Sequence, residues 1–117
     1  MQRFMTALFL LFGASLPVLA QSAAFIYTPL GYQQITPVPA GTTLTIPTGT
    51  APRIVEICVE TNNVRYRDDG TAPTTTVGIP VVVTSTVPTC FQYSGSLTAI
   101  QFTQVTSPAT LDVSYYR

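Results

Sequence analysis

From residue 53 onward, apolar and polar positions alternate with the period of two that belongs to extended strands. Across Arg53 to Glu60, the side chains of Val55, Ile57 and Val59 fall on one face. Glu56, Cys58 and Glu60 fall on the other. Thr110 to Tyr116 repeats the pattern, with Leu111, Val113 and Tyr115 inward and Asp112 and Ser114 outward. Shorter runs of the same kind are Thr42 to Ile46, with Leu44 and Ile46 together, and Val64 to Arg67, Ile79 to Thr84 and Cys90 to Tyr93. In Leu97 to Val105, Leu97, Ala99 and Gln101 oppose Ile100 and Phe102, and Phe25 to Thr28 reads as a short edge strand. Asn62-Asn63 and Ser94-Gly95 read as turns.

Helix-period patterning is missing after Ala20, and prolines and glycines recur at intervals too short for a long helix. Abundant threonine suits a pleated, half-buried surface. Seven or eight short strands at this spacing predict an all-β fold. The expected form is a small antiparallel β-sandwich, jelly-roll-like or immunoglobulin-like, or a small barrel.

The first 20 residues do not fit that pattern. A charged start at Met1-Gln2-Arg3 leads into an apolar stretch from Phe4 to Phe12, and Val18-Leu19-Ala20 supplies small residues before a cut. These are the parts of a secretory signal peptide, with cleavage expected after Ala20. A retained hydrophobic anchor, or a segment buried in an assembly, is the other reading, although Phe4 to Ala20 is short for a membrane span and contains Pro17. The division is therefore 1–20 as signal or anchor and 21–117 as one domain of modest core.

Charge is sparse and unevenly placed. The chain has five arginines, five acids, no lysine, no histidine and no tryptophan. Beyond residue 20, Arg53, Arg65, Arg67 and Arg117 stand against Glu56, Glu60, Asp68, Asp69 and Asp112. No basic field attracts nucleic acid. Weak net charge also removes the repulsion that keeps copies apart.

Arg65, Arg67, Asp68 and Asp69 sit within five consecutive positions. In a strand, Arg65 and Arg67 share one face while Val64 and Tyr66 share the other. Asp69-Gly70 is a favoured turn pair. One reading is a salt-bridged hairpin end in which the arginines pair with Asp68 and Asp69. The other is an inter-subunit contact built from Arg65, Tyr66, Arg67, Asp68 and Asp69, with arginine forks gripping a neighbour's carboxylates. Asp68 and Asp69 alone offer too few ligands to infer calcium.

Cys58 and Cys90 are the only cysteines. In an exported chain an even count suggests a disulfide. It would close a loop of roughly 32 residues and stabilise the fold by about 3.5–4 kcal/mol on the chain-entropy estimate. Two buried free thiols in neighbouring strands are the alternative.

Catalytic chemistry is poorly served. Without histidine, a serine or cysteine nucleophile lacks its usual base. Adjacent carboxylates in a strand point apart and cannot flank one glycosidic bond. No glycine-rich loop opens a helix for phosphate. The six tyrosines read more simply as sheet residues than as sugar-stacking platforms. No cofactor, metal or enzymatic activity is expected.

The stretch Val64-Arg65-Tyr66-Arg67-Asp68-Asp69-Gly70-Thr71-Ala72-Pro73-Thr74, followed by Val77-Gly78-Ile79-Pro80, resembles a block found in small structural proteins of tailed bacteriophages and prophages. Phe91 to Phe102 and the ending Ala109 to Tyr116 also resemble that group, so the likeness spans Arg53 to Arg117. It implies a non-enzymatic virion component, such as a capsid decoration, minor capsid or tail-associated subunit. Its implied partners are other copies of itself or other virion proteins. The chain departs from that group in its signal-like start and its two cysteines. Those features suit an exported binding module instead, an adhesin or pilus-like subunit located outside the cell or in the periplasm.

Overall fold

The computed structural model describes Gly13 and residues 26–117. The expected signal or anchor, and Phe25 of the expected first strand, lie outside the described residues apart from Gly13. Eight strands follow: β1 (Pro29–Ile35), β2 (Thr42–Thr43), β3 (Ile54–Glu60), β4 (Val64–Arg67), β5 (Ile79–Val81), β6 (Thr89–Tyr93), β7 (Gln101–Gln104) and β8 (Thr110–Tyr116). No helix among the described residues is long and apolar enough to cross a membrane.

The strands form two four-stranded antiparallel sheets, ordered β1-β8-β3-β6 and β2-β7-β4-β5. Only β4 and β5 are joined as consecutive neighbours. Every other connection crosses from one sheet to the other. Eight strands in this order make a jelly roll, a double-sheet solution to the edge-strand problem. Of the three forms expected from the sequence, the immunoglobulin-like order and the closed barrel are thereby set aside.

The alternation read from the sequence decides what fills the sandwich. Pairing of β3 with β8 places Val55 opposite Tyr115, Ile57 opposite Val113 and Val59 opposite Leu111. All six side chains are fully buried. Val64 and Phe102 close over them from the second sheet. Burying each such side chain contributes about 1.5–3 kcal/mol. Loops complete the core with Val38 and Ala109, whose amides both donate to Gln104 Oε1, at 3.0 and 3.1 Å. One side chain thus satisfies two loop amides that would otherwise be stranded.

Four strands differ from expectation. The run expected from Ile79 to Thr84 is a strand only over Ile79–Val81, because an edge strand carrying Pro80 pairs on one side alone. The first strand runs from Pro29 rather than over residues 25–28. Proline is tolerated there because it opens an edge strand, and the ladder shifts register between Pro29 and Gly31. Thr42 to Ile46 shrinks to two strand residues because Gln33 supplies the next contacts from its side chain. Its Oε1 accepts from Thr45 N at 3.1 Å, and its Nε2 donates to Thr45 Oγ1 at 3.2 Å. The expected strand from Leu97 begins only at Gln101. Ser96 to Ile100 is a turn, in which Ser96 O accepts from the amides of Ala99 and Ile100. Leu97 and Ile100, three apart, both turn inward.

Tyr115 joins this core to its edge. Its ring is fully buried, and its hydroxyl donates to Gln33 Oε1 at 2.8 Å. Burial disfavours the phenolate and pushes its pKa up to about 12. The raised folded value means that Tyr115 supports stability fully below its ordinary range near 10, and that this support drains as pH rises toward about 12. Tyr115→Phe should cost about 1–1.5 kcal/mol at neutral pH. Urea unfolding at several pH values should show the gap between wild type and variant shrinking above pH ~10. A gap constant to high pH would show that the hydroxyl does not titrate in the fold.

Candidate functional site

The charged corner spans the end of β4, with Arg65, Tyr66 and Arg67, and the start of the loop to β5, with Asp68 and Asp69. The chain after Arg67 folds back over the outer face of the second sheet. Three sheet side chains hold it there. Thr103 Oγ1 donates to Pro73 O at 2.9 Å, Gln101 Nε2 donates to Gly70 O at 3.0 Å, and Arg65 donates to Thr75 O and Gly78 O at 3.2 and 2.8 Å. Pro73 and Thr103 are buried beneath the fold-back.

Gly78 makes this possible. Its φ of 133° is a backbone conformation that side-chain-bearing residues rarely adopt. A Cβ there would stand 2.9 Å from Pro73 Cβ and 3.1 Å from Tyr66 O. Neither atom is the free end of a flexible side chain.

The five corner residues therefore have unlike roles. Arg67 and Asp69 form a two-pronged ion pair, with Nε donating to Oδ1 at 3.1 Å and Nη2 donating to Oδ2. Asp69 Oδ1 also accepts from Thr71 N at 3.2 Å, and Gly70 takes the turn's positive φ of 80°. The Arg67 bond, followed by the Thr71 amide, holds the Asp69 carboxyl below its usual range. The same bond raises Arg67 above its usual range.

Asp68 accepts from Tyr93 OH at 3.2 Å. Burial first, and then this bond, raise the Tyr93 hydroxyl above its ordinary range. Tyr93 reaches Asp68 by lying across Gly95, where a Cβ would meet its ring within 2.5 Å. Arg65 binds backbone carbonyls rather than either aspartate. Tyr66 points the other way, between the sheets, and stacks on Phe91 at 5.3 Å with the rings 15° apart. So the arginine-to-aspartate pairing expected from the sequence forms once, between Arg67 and Asp69.

Beside this corner the surface turns apolar. Arg67, Asp68 and Asp69 share a depression of about 290 Å³ with Val77, Gly78 and Ile79. Val77 is 52% exposed and Ile79 is 50% exposed. Thr103, Pro73 and the apolar row were not singled out by sequence reading. Gly78, next to Ile79-Pro80 in the quoted block, was the visible signal.

The second feature is the disulfide. Cys58 and Cys90 are bonded across the β3–β6 ladder, directly opposite each other with Cα atoms 4.0 Å apart. The bond lies on the outer face and ties an edge strand to the sheet. The Glu56 carboxylate lies within 4.8 Å of both sulfurs. Bonded to each other, the sulfurs are not thiolate ligands. On the same face Asp112 accepts from Tyr32 OH at 2.6 Å and from Gln34 Nε2 at 2.8 Å. The bond to Asp112, then burial and nearby negative charge, raise the Tyr32 hydroxyl. A disulfide points to an oxidising, extracellular or periplasmic environment.

No protein-family model, curated protein or solved structure matches the chain.

Two substitutions test these supports. Replacing Cys58 and Cys90 together by serine should lower unfolding free energy by about 3–4 kcal/mol in non-reducing urea titrations. A negligible drop would mean that other contacts hold β6. Gly78→Ala should cost about 2 kcal/mol through its forced backbone and its clash with Pro73. Stability equal to wild type would show that the fold-back adopts another path.

Proposed function

We propose that this chain is a non-enzymatic virion structural subunit, a capsid decoration, minor capsid or tail-associated protein that assembles through its sheet faces and charged corner. The observation that carries the reading is the continuity of Arg67, Asp68 and Asp69 with exposed Val77 and Ile79 around one depression. An apolar centre rimmed by charge is the anatomy of a protein contact surface. The fold-back beneath it is fastened at four points, so the surface is preorganised, which limits the entropy lost on binding.

Two broader arguments, an analogy of fold and the resemblance read from the sequence, favour the same reading. The jelly-roll order recurs in viral capsid domains, a fold-level analogy. The likeness to phage structural proteins covers the residues that build this corner. The acids also serve structure: Asp69 binds Arg67, Asp68 binds Tyr93, and Asp112 binds Tyr32 and Gln34.

A second reading, an exported binding module of adhesin or pilus-like kind, is favoured by one observation, the Cys58–Cys90 disulfide. Mass spectrometry on protein from its native source separates the two. A chain found in purified particles supports the virion reading. A chain starting at Gln21 and found only free outside the cell supports the module.

Arg67→Glu tests the corner. It should leave the urea midpoint nearly unchanged, since exposed ion pairs contribute little. It should weaken association, measured by sedimentation, by roughly tenfold. Unchanged association would remove the corner from the contact surface.

A further inference from the structure

The two edges of the sandwich are finished differently. On the β1/β2 side Gln33 bridges the sheets through Thr45. On the β5/β6 side one bond joins the two walls, from Thr89 Oγ1 to Val82 O at 2.6 Å, and the rest stays open. A groove of about 390 Å³ runs between them, floored by Tyr66 and Phe91 and walled by Ile79, Val81 and Val82. Val82 is 62% exposed, and no charged residue lines the groove.

One wall has an unused hydrogen-bonding edge. The 4.0 Å Cα separation of Cys58 and Cys90 is the close spacing of a non-hydrogen-bonded pair. By the alternation of the ladder, the amides and carbonyls of Cys90 and Gln92 then point away from β3, toward the open side. The facing strand β5 carries Pro80 and is blunt.

At the opposite edge of the same sheet, the chain enters β1 with exposed apolar side chains. Ile26 is 88% exposed, more than any other large apolar residue described, and Tyr27 is 40% exposed. Thr28 exchanges both backbone hydrogen bonds with Arg117, at 2.8 and 3.0 Å, and the Tyr27 ring lies 6.2 Å from that of Tyr116. This anchoring fixes where Ile26 emerges. β1 and β6 are the two outer strands of one sheet, roughly 14 Å apart at the usual spacing. Ile26, two residues from its anchor, falls short of its own groove.

We propose that the groove is filled by Ile26 and Tyr27 of a second copy, set against the free edge of β6, so that copies associate head to tail. The contact deepens the assembly reading and rests on it. The occupant matches in kind: an uncharged apolar segment for an uncharged apolar groove, and main chain for an open strand edge. Nearly balanced charge does not hold the copies apart. Segment and groove lie on opposite edges, so each docking leaves one of each unused. The contact is heterologous and propagates as an open row or closes as a ring.

The test uses Ile26→Asp and Val82→Asp in the full chain as recovered from expressing cells. Both positions are exposed, and circular dichroism with urea unfolding confirms that both variants fold. Wild type should associate with rising concentration in sedimentation velocity. Each variant alone should associate roughly tenfold or more weakly, as when an apolar anchor of a contact is lost. Mixed in equal amounts, the variants should form heterodimers that grow no further, since each pair retains one intact segment and one intact groove. Variants that assemble like wild type, or a mixture that stays monomeric, would overturn the contact while leaving the assembly reading in place. A wild type that is monomeric at every concentration and missing from particles would overturn both.

Discussion

The register of β8 between β1 and β3 is the constraint on which the rest depends. A strand has only two faces, so a slip of one residue would turn Leu111, Val113 and Tyr115 outward and drive Asp112 and Ser114 into the core. The correct register does more than bury three side chains. It aligns Tyr115 with Gln33, which in turn holds Thr45 and seals one side of the sandwich. It also places Asp112 within reach of Tyr32 and Gln34 on the outside. Core, sealed edge and outer face all follow from one alignment. No buried side-chain nitrogen or oxygen among the described residues is left without a partner.

How much of this could be read beforehand depends on whether a residue's partner is a side chain or the backbone. β3 and β8 were legible because each is paired on both sides and must alternate cleanly. β1 was not, because an edge strand can open with proline and carry Gly31, Gln33 and Gln34, none of which marks a strand. The inward pair Leu97 and Ile100 follows the spacing of a turn, and a reading by twos divides it between faces. The cysteine pair was foreseeable from count and compartment, and the ladder sets it directly across two strands.

The corner shows the same divide. Asp69-Gly70 announced its turn, and the Arg67–Asp69 pair lies within two residues. Arg65 looked equivalent to Arg67, yet its partners are carbonyls of a loop ten and thirteen residues on. Nothing in a carbonyl's sequence context advertises it as an acceptor. The open groove was invisible for a related reason: it is the gap between two edges, and no local pattern encodes it.

The fold-back over Thr103 also bears on how this chain tolerates change in length. Most loops on a jelly roll can gain residues, since lengthening a flexible connection costs little entropy. The stretch from Asp68 to Gly78 is fastened at its start, middle and end to three different sheet residues, with Pro73 seated as a cap over a buried hydroxyl. An extra residue would move one fastening out of reach of its partner, so this segment behaves as a third layer of the molecule. Insertions and deletions among relatives should therefore collect elsewhere, in the connections flanking β2 and between β5 and β6, while the spacing from Arg65 to Gly78 stays fixed.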